Sequence, residues 1–112
     1  GAFSGYRGLK SVSIGKNVKS IGDKSFYRCI DLAKVTIPPK TSKIGKQAFY
    51  GCKKLKNAVI KTKSLTTKKV GKKAFGAIHP RTIIKVPKSK VKAYKKLLEK
   101  KGVGSKAKIK KL

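Results

Sequence analysis

The phrase Ile21-Gly22-Asp23-Lys24-Ser25-Phe26-Tyr27-Arg28-Cys29 returns as Ile44-Gly45-Lys46-Gln47-Ala48-Phe49-Tyr50-Gly51-Cys52, and a shorter variant follows at Val70-Gly71-Lys72-Lys73-Ala74-Phe75. Phe3, Phe26 and Phe49 are spaced by 23 residues and Phe75 follows after 26. Self-similarity at such a period means that each unit is one small structural element. With few apolar residues it cannot enclose a core alone, so it becomes stable by stacking on its neighbours. About three and a half units are present, close to the minimum for a stable array.

Within each unit, the third residue after Phe is Tyr6, Cys29, Cys52 or Ile78, and the sixth is Leu9, Leu32, Leu55 or, breaking the pattern, Arg81. Nine and eleven residues after Phe stand Val12 and Ile14, Val35 and Ile37, Ala58 and Ile60, and Ile84 and Val86. These period-two pairs predict one short strand per unit with one buried face. The apolar-Gly dipeptides Ile21-Gly22, Ile44-Gly45 and Val70-Gly71 predict bends where a neighbouring unit approaches closely.

Leu32-Ala33-Lys34-Val35-Thr36-Ile37-Pro38, followed by Ile44 through Cys52, resembles the unit of the BspA-like leucine-rich repeat family of bacterial surface proteins. That unit reads Leu-x-x-Val-x-Ile-Pro and then Ile-Gly-x-x-Ala-Phe-x-x-Cys. The resemblance covers residues 2 to about 87. It implies a leucine-rich repeat solenoid of about 23 residues per repeat, with short parallel strands on one face and turns opposite. It also implies adhesion or protein binding at the surface of a bacterium, with no catalysis. The segment Lys61–Lys69 lengthens the third connection by three residues, which predicts a bulged loop. Arg81 in place of leucine predicts a fourth rung that packs less well.

After Val86-Pro87 the pattern changes. Val91, Tyr94, Leu97 and Leu98 form one apolar stripe at helical spacing, with Ser89 placed to cap the start and Gly102 to stop the end, giving a helix over 90–101. Lys106-Ala107-Lys108-Ile109-Lys110 adds an alternating strand at about 106–110. The expected organisation is therefore repeats over 1–87 and a basic cap over 88–112 that covers the open end of the array. A basic amphipathic helix lying on a membrane is the competing reading of the same stripe.

A chain of 112 residues is one short domain. Its longest apolar run, around Ala58-Val59-Ile60, is far below the roughly 20 residues that span a bilayer, so no membrane span is expected. Gly1 falls inside a unit, and no signal peptide is legible at the amino end. The chain thus reads as the carboxy-terminal part of a longer protein. An exposed first rung predicts a monomer, or a dimer paired edge to edge through that truncated rung.

Cys29 and Cys52 occupy equivalent places and are expected to be small buried core residues. Their spacing on adjacent strands leaves a disulfide open on distance, whereas parallel inward side chains oppose one. Two cysteines and the single His79 fall short of a structural zinc site, and no metal or cofactor is expected. Asp23, Asp31 and Glu99 are the only carboxylates and lie in different units, so no acid-base pair exists. His79 is expected in an exposed loop. The chain reads as a non-enzyme.

Thirty-two Lys and Arg against three acids leave +29. Residues 1–52 carry a net +8 and residues 53–112 a net +21. Stacking turns equivalent lysines into rows, Lys43 beside Lys69 and Lys46 beside Lys72, with Asp23 interrupting the second row. Each such pair repels by about 1 kcal/mol or less in water, and less with salt. A neighbouring polyanion converts that repulsion into attraction. Nucleic acid is the less favoured polyanion, because no nucleic-acid fold is legible and the aromatics sit at core or cap positions rather than among the lysines. The alternatives are an anionic polysaccharide or, more naturally for a bacterial surface protein, the cell wall's phosphate polymer.

Two binding surfaces are therefore expected. Outward strand positions form the rows Ser11, Lys34, Asn57, Ile83 and Ser13, Thr36, Val59, Lys85, a mixed face on which Lys34, Thr36 and Asn57 are candidate contacts for an unidentified protein ligand. Lys43, Lys46, Lys69, Lys72 and Lys73 are the candidates for an anionic cell-surface polymer.

Overall fold

Around each phenylalanine the backbone bends repeatedly, because residues two before and two after it adopt left-handed conformations. Lys24 and Arg28 have φ of 54°, Gln47 53° and Gly51 79°, and Lys73 and Ala77 55° and 51°. Alternate N–H groups then serve different partners. The N–H groups of Ser25, Tyr27 and Cys29 close turns onto Gly22, Lys24 and Phe26, at 3.3, 3.2 and 3.1 Å. The N–H groups of Lys24, Phe26 and Arg28 donate to the next unit at Lys46, Ala48 and Tyr50, at 2.9, 2.8 and 2.7 Å. The pattern repeats from Gln47, Phe49 and Gly51 to Lys72, Ala74 and Gly76. In this computed structural model, which describes residues 1–112, every unit thus leans on the one after it.

The strands add a second set of inter-unit bonds. β1 (Ser11–Ser13), β3 (Lys34–Ile37), β5 (Asn57–Ile60), β6 (Ile83–Val86) and β7 (Lys108–Lys111) form one five-stranded sheet in that order. All four pairings are parallel. β2 (Ser20–Ile21) and β4 (Lys43–Ile44) form a separate parallel pair at the Ile-Gly bends, continued by a bridge from Ile44 to Val70. Opposite residues are 23 apart between β1, β3 and β5, as in Val12 beside Val35 and Val35 beside Ala58.

Between the sheet and the turns lies one core of 24 buried side chains. Phe26, Phe49 and Phe75 stack within it and Phe3 continues the stack outside it, with successive ring centroids from Phe3 onward 5.5, 5.3 and 5.3 Å apart. Cys29 and Cys52 are fully buried free thiols. Each donates to the phenylalanine carbonyl one unit earlier, Cys29 to Phe3 at 3.0 Å and Cys52 to Phe26 at 3.1 Å. Burial pushes both thiols up, Cys52 to about 12. The first unit is less enclosed: Phe3 is 45% exposed and Tyr6 57%.

The single α-helix, α1, spans Val91–Lys100. It buries Tyr94, Leu97 and Leu98, the stripe read from the sequence. Ser89 does not cap it. A short 3₁₀ turn over Lys88–Lys90 follows Pro87, placing Lys90 at the N-cap with no side-chain cap bond. The helix is one residue shorter at each end than expected, and β7 begins at Lys108 rather than near 106.

The lengthened connection after β5 is anchored rather than loose. Thr62 and Leu65 are buried, and the Tyr94 hydroxyl donates to the Thr62 carbonyl at 2.8 Å while accepting the Leu65 N–H at 3.1 Å. The fourth rung packs better than Arg81 suggested: Ile84 and Val86 are fully buried, and β7 pairs with β6 along its other edge. The local flaw is Thr82, fully buried with an unpartnered Oγ1.

Deleting an internal ring should cost far more than deleting an end ring. Phe49→Ala is expected to lower unfolding free energy by about 3–5 kcal/mol, and Phe3→Ala by less than half as much. Denaturant unfolding of the two variants checks this, and equal losses would contradict a shared stacked core.

Candidate binding surfaces

Because strand side chains alternate, burying Val35, Ile37, Ala58, Ile60, Ile84 and Val86 turns the residues between them outward. Lys34 stands beside Ser11 and Asn57, and Asn57 beside Ile83; Thr36 stands beside Ser13 and Val59, and Val59 beside Lys85. β7 lengthens both rows, adding Lys108 next to Ile83 and Lys110 next to Lys85. One end of the face is therefore more basic than the eight outward positions read from the sequence.

Lys34 and Asn57 line a concavity of about 270 Å³ with Ala58, Val59, Ile83 and Lys85. Thr36 is half-buried and belongs to a neighbouring depression of about 380 Å³ shared with Ser13, Pro38 and Lys61. The three sheet candidates thus share a face without sharing one hollow.

On the bend edge, Ser20 pairs with Lys43, and the Ile44–Val70 bridge sets Lys43 one rung from Lys69. A depression of about 340 Å³ brings Lys43, Lys46 and Lys69 together around Gly22, Gly45 and Gly71. It also includes Lys68, which the repeat pattern did not single out. Lys72 and Lys73 are exposed on the same turn but stand outside that depression.

Two of the three acids tie rungs together. Asp31 accepts the Gly8 N–H at 2.9 Å from the preceding unit and Lys54 Nζ at 3.3 Å from the next. The Gly8 bond first, and Lys54 second, hold the Asp31 carboxyl below the usual carboxylate range. Asp23 Oδ1 accepts the Lys46 N–H at 2.8 Å. Neither carboxylate faces a second acid, and no group of three or more His, Cys, Asp or Glu comes together. His79 is half-buried rather than exposed, and its Nδ1 accepts the Arg81 N–H at 3.0 Å.

One expectation about the aromatics is overturned. Tyr27 and Tyr50 stack outside the core at 5.7 Å, and Lys24 and Arg28 lie over the Tyr27 ring at 5.2 and 5.4 Å. Tyrosine and basic side chains are thus interleaved after all. The other side of Tyr50 packs on Gly76, where an added Cβ would meet Tyr50 Cδ2 at 2.7 Å. Each ring has one face taken up by the other, which leaves less of it free to stack on a base.

No helix is long and apolar enough to cross a membrane. Residues 1–101 match the model of the BspA type leucine-rich repeat region, in six copies, a range that includes α1. No curated protein and no solved structure matches the chain.

A carboxyl held low stabilises the fold above its ordinary titration range, and the contribution disappears as pH falls through the depressed value. Thermal unfolding should therefore separate wild type from Asp31→Asn at about pH 7, and the two should converge towards about pH 2. A constant gap across that window would show that the charge on Asp31 is irrelevant.

Proposed function

The chain belongs to the BspA-type leucine-rich repeat family, whose members are generally non-enzymatic interaction scaffolds typical of bacterial surfaces, and from that membership we propose that it is a small adhesion module displayed outside the cell. In this reading residues 1–87 are a leucine-rich repeat solenoid of about 23 residues per turn. Residues 88–112 are its basic cap, in which α1 covers the last rung. The module performs no catalysis and binds a protein ligand through the sheet.

The observation that carries this reading is the outward row of the sheet. Lys34, Asn57 and Ile83 stand in register on three paired strands around a hollow of mixed polar and apolar lining, and Thr36 lies alongside. Repeat arrays commonly bind through such extended faces. Rigid placement reduces the ordering cost of association.

A second function is supported by the bend edge, where Lys43, Lys46, Lys68 and Lys69 converge on a glycine-lined depression beside Lys72 and Lys73. These lysines would hold the protein to the phosphate polymer of a Gram-positive wall. The attraction is electrostatic and weakens with salt.

The two surfaces separate experimentally. Peptides selected from a random display library on the immobilised protein are expected to lose about tenfold or more in affinity on Lys34→Ala/Thr36→Ala/Asn57→Ala, a loss of about 1.4 kcal/mol. They should be indifferent to Lys69→Glu/Lys72→Glu/Lys73→Glu. Selection of peptides insensitive to the first variant would remove the sheet from consideration. Isolated walls should retain the wild-type chain at low salt and release it at high salt. Walls stripped of anionic polymer, or the triple-glutamate variant, should not retain it; retention by stripped walls would exclude the polymer as the ligand.

A further inference from the structure

Asp23 stands in a row of lysines and shows how that row holds an anion. Its Oδ1 accepts the backbone N–H of Lys46, one rung further on. The next rung reproduces the backbone around this contact. Gly45 N–H donates to Ile21 O at 2.7 Å, and Gly71 N–H to Ile44 O at 2.8 Å. Lys24 N–H donates to Lys46 O at 2.9 Å, and Gln47 N–H to Lys72 O at 3.0 Å. A Cβ on Gly45 would collide with the Asp23 backbone nitrogen, and one on Gly71 with that of Lys46, so the rungs approach equally closely. The Lys72 N–H is therefore related to residue 46 as the Lys46 N–H is to Asp23. Residue 46 is a lysine, which carries no acceptor, and the Lys72 N–H meets no protein acceptor.

We infer that the Lys72 N–H is an oxyanion site, in which a phosphate oxygen of an anionic polymer takes the position that the Asp23 carboxylate takes one rung earlier. Residues 46 and 72 follow one another along the same row, and Lys43 and Lys69 along the adjacent one. The N–H supplies direction and the ammonium groups supply charge. Hydrogen bonds to an ionised acceptor are roughly twice as strong as neutral ones. Lysine, a compact charge with three rotatable donors, fits a tetrahedral phosphate without demanding a single geometry. The inference rests on the polymer reading above and gives it a point of attachment.

The test is an amide-resolved NMR titration of the full chain with inorganic phosphate and with poly(glycerol phosphate), with a polyuronate as the carboxylate comparison. With both phosphate probes the Lys72 amide is expected to shift among the most of any residue. Lys46→Asp supplies an internal carboxylate at the equivalent position. It should weaken the Lys72 response about tenfold or more and raise Tm in phosphate-free buffer. Lys92→Asp, an equal charge change on α1, should do neither. Asp23→Ala should make Lys46 a second responding amide.

The inference is overturned if the Lys72 amide responds no more than those of Lys92, Lys95 and Lys96, or if Lys46→Asp and Lys92→Asp behave alike. A stronger Lys72 response to polyuronate than to poly(glycerol phosphate) overturns the choice of phosphate. Polymer binding that survives Lys46→Asp but is lost in Lys69→Glu/Lys72→Glu/Lys73→Glu refutes this site while leaving diffuse polymer binding intact. No binding of either phosphate probe by the wild type overturns both.

Discussion

Four phenylalanine rings stacked 5.3 to 5.5 Å apart set a spacing to which the rest of the molecule conforms. A ring can meet its neighbour face to face at each level only if the backbone returns to the same place once per unit. The left-handed residues on either side of Phe26, Phe49 and Phe75 make that return possible. Such conformations cost of order 1 kcal/mol or more for residues other than glycine. Here they are offset by N–H groups that reach the next unit and by burial of the ring. The thiols of Cys29 and Cys52 follow the same geometry, each donating to the phenylalanine carbonyl one unit back.

That spacing also governs the charges. Lysines that would be scattered on another fold are drawn into rows along the bend edge, while the sheet face receives whatever lies between the inward strand residues. The two surfaces consequently differ in kind: one is a hollow of mixed lining with Lys34 and Lys85 beside Asn57, Val59 and Ile83, the other is a glycine track bordered by lysines and Asp23. Asp31 and Asp23 offset part of the repulsion by joining adjacent units through backbone N–H groups. With three acids in the whole chain, such ties are few.

Much of this was legible in the sequence because the buried positions recur in register. Phe26, Cys29, Leu32, Val35 and Ile37 are all buried, as are their counterparts Phe49, Cys52, Leu55, Ala58 and Ile60. Lys34, Thr36 and Asn57 were placed correctly on the outward face by alternation alone. What escaped the pattern was contact between unlike parts. The Tyr94 hydroxyl reaches the inserted loop at Thr62 and Leu65, and nothing in the repeat predicts that pairing. Ser89 lost its expected role because Pro87 leads into a 3₁₀ turn that moves the helix start to Val91. Asp23 and Asp31 were legible only as carboxylates in different units, since a bond from a side chain to a backbone N–H leaves no trace in residue spacing. The signal for Asp23 was present nonetheless, in its being the one acid in an otherwise basic row.

The backbone N–H groups within two residues of each phenylalanine that leave their own unit all point forward along the chain. Each phenylalanine N–H points to the unit that follows it, and for Phe75 the acceptor is the carbonyl of Lys101, just beyond α1. A ribosome releases the chain donors first. Every newly emerged turn therefore waits, with those forward-pointing N–H groups facing water, for residues not yet translated. The row is closed only when the stretch around Lys101 clears the exit tunnel, so synthesis leaves a moving, unfinished front that the terminal helix finally seals.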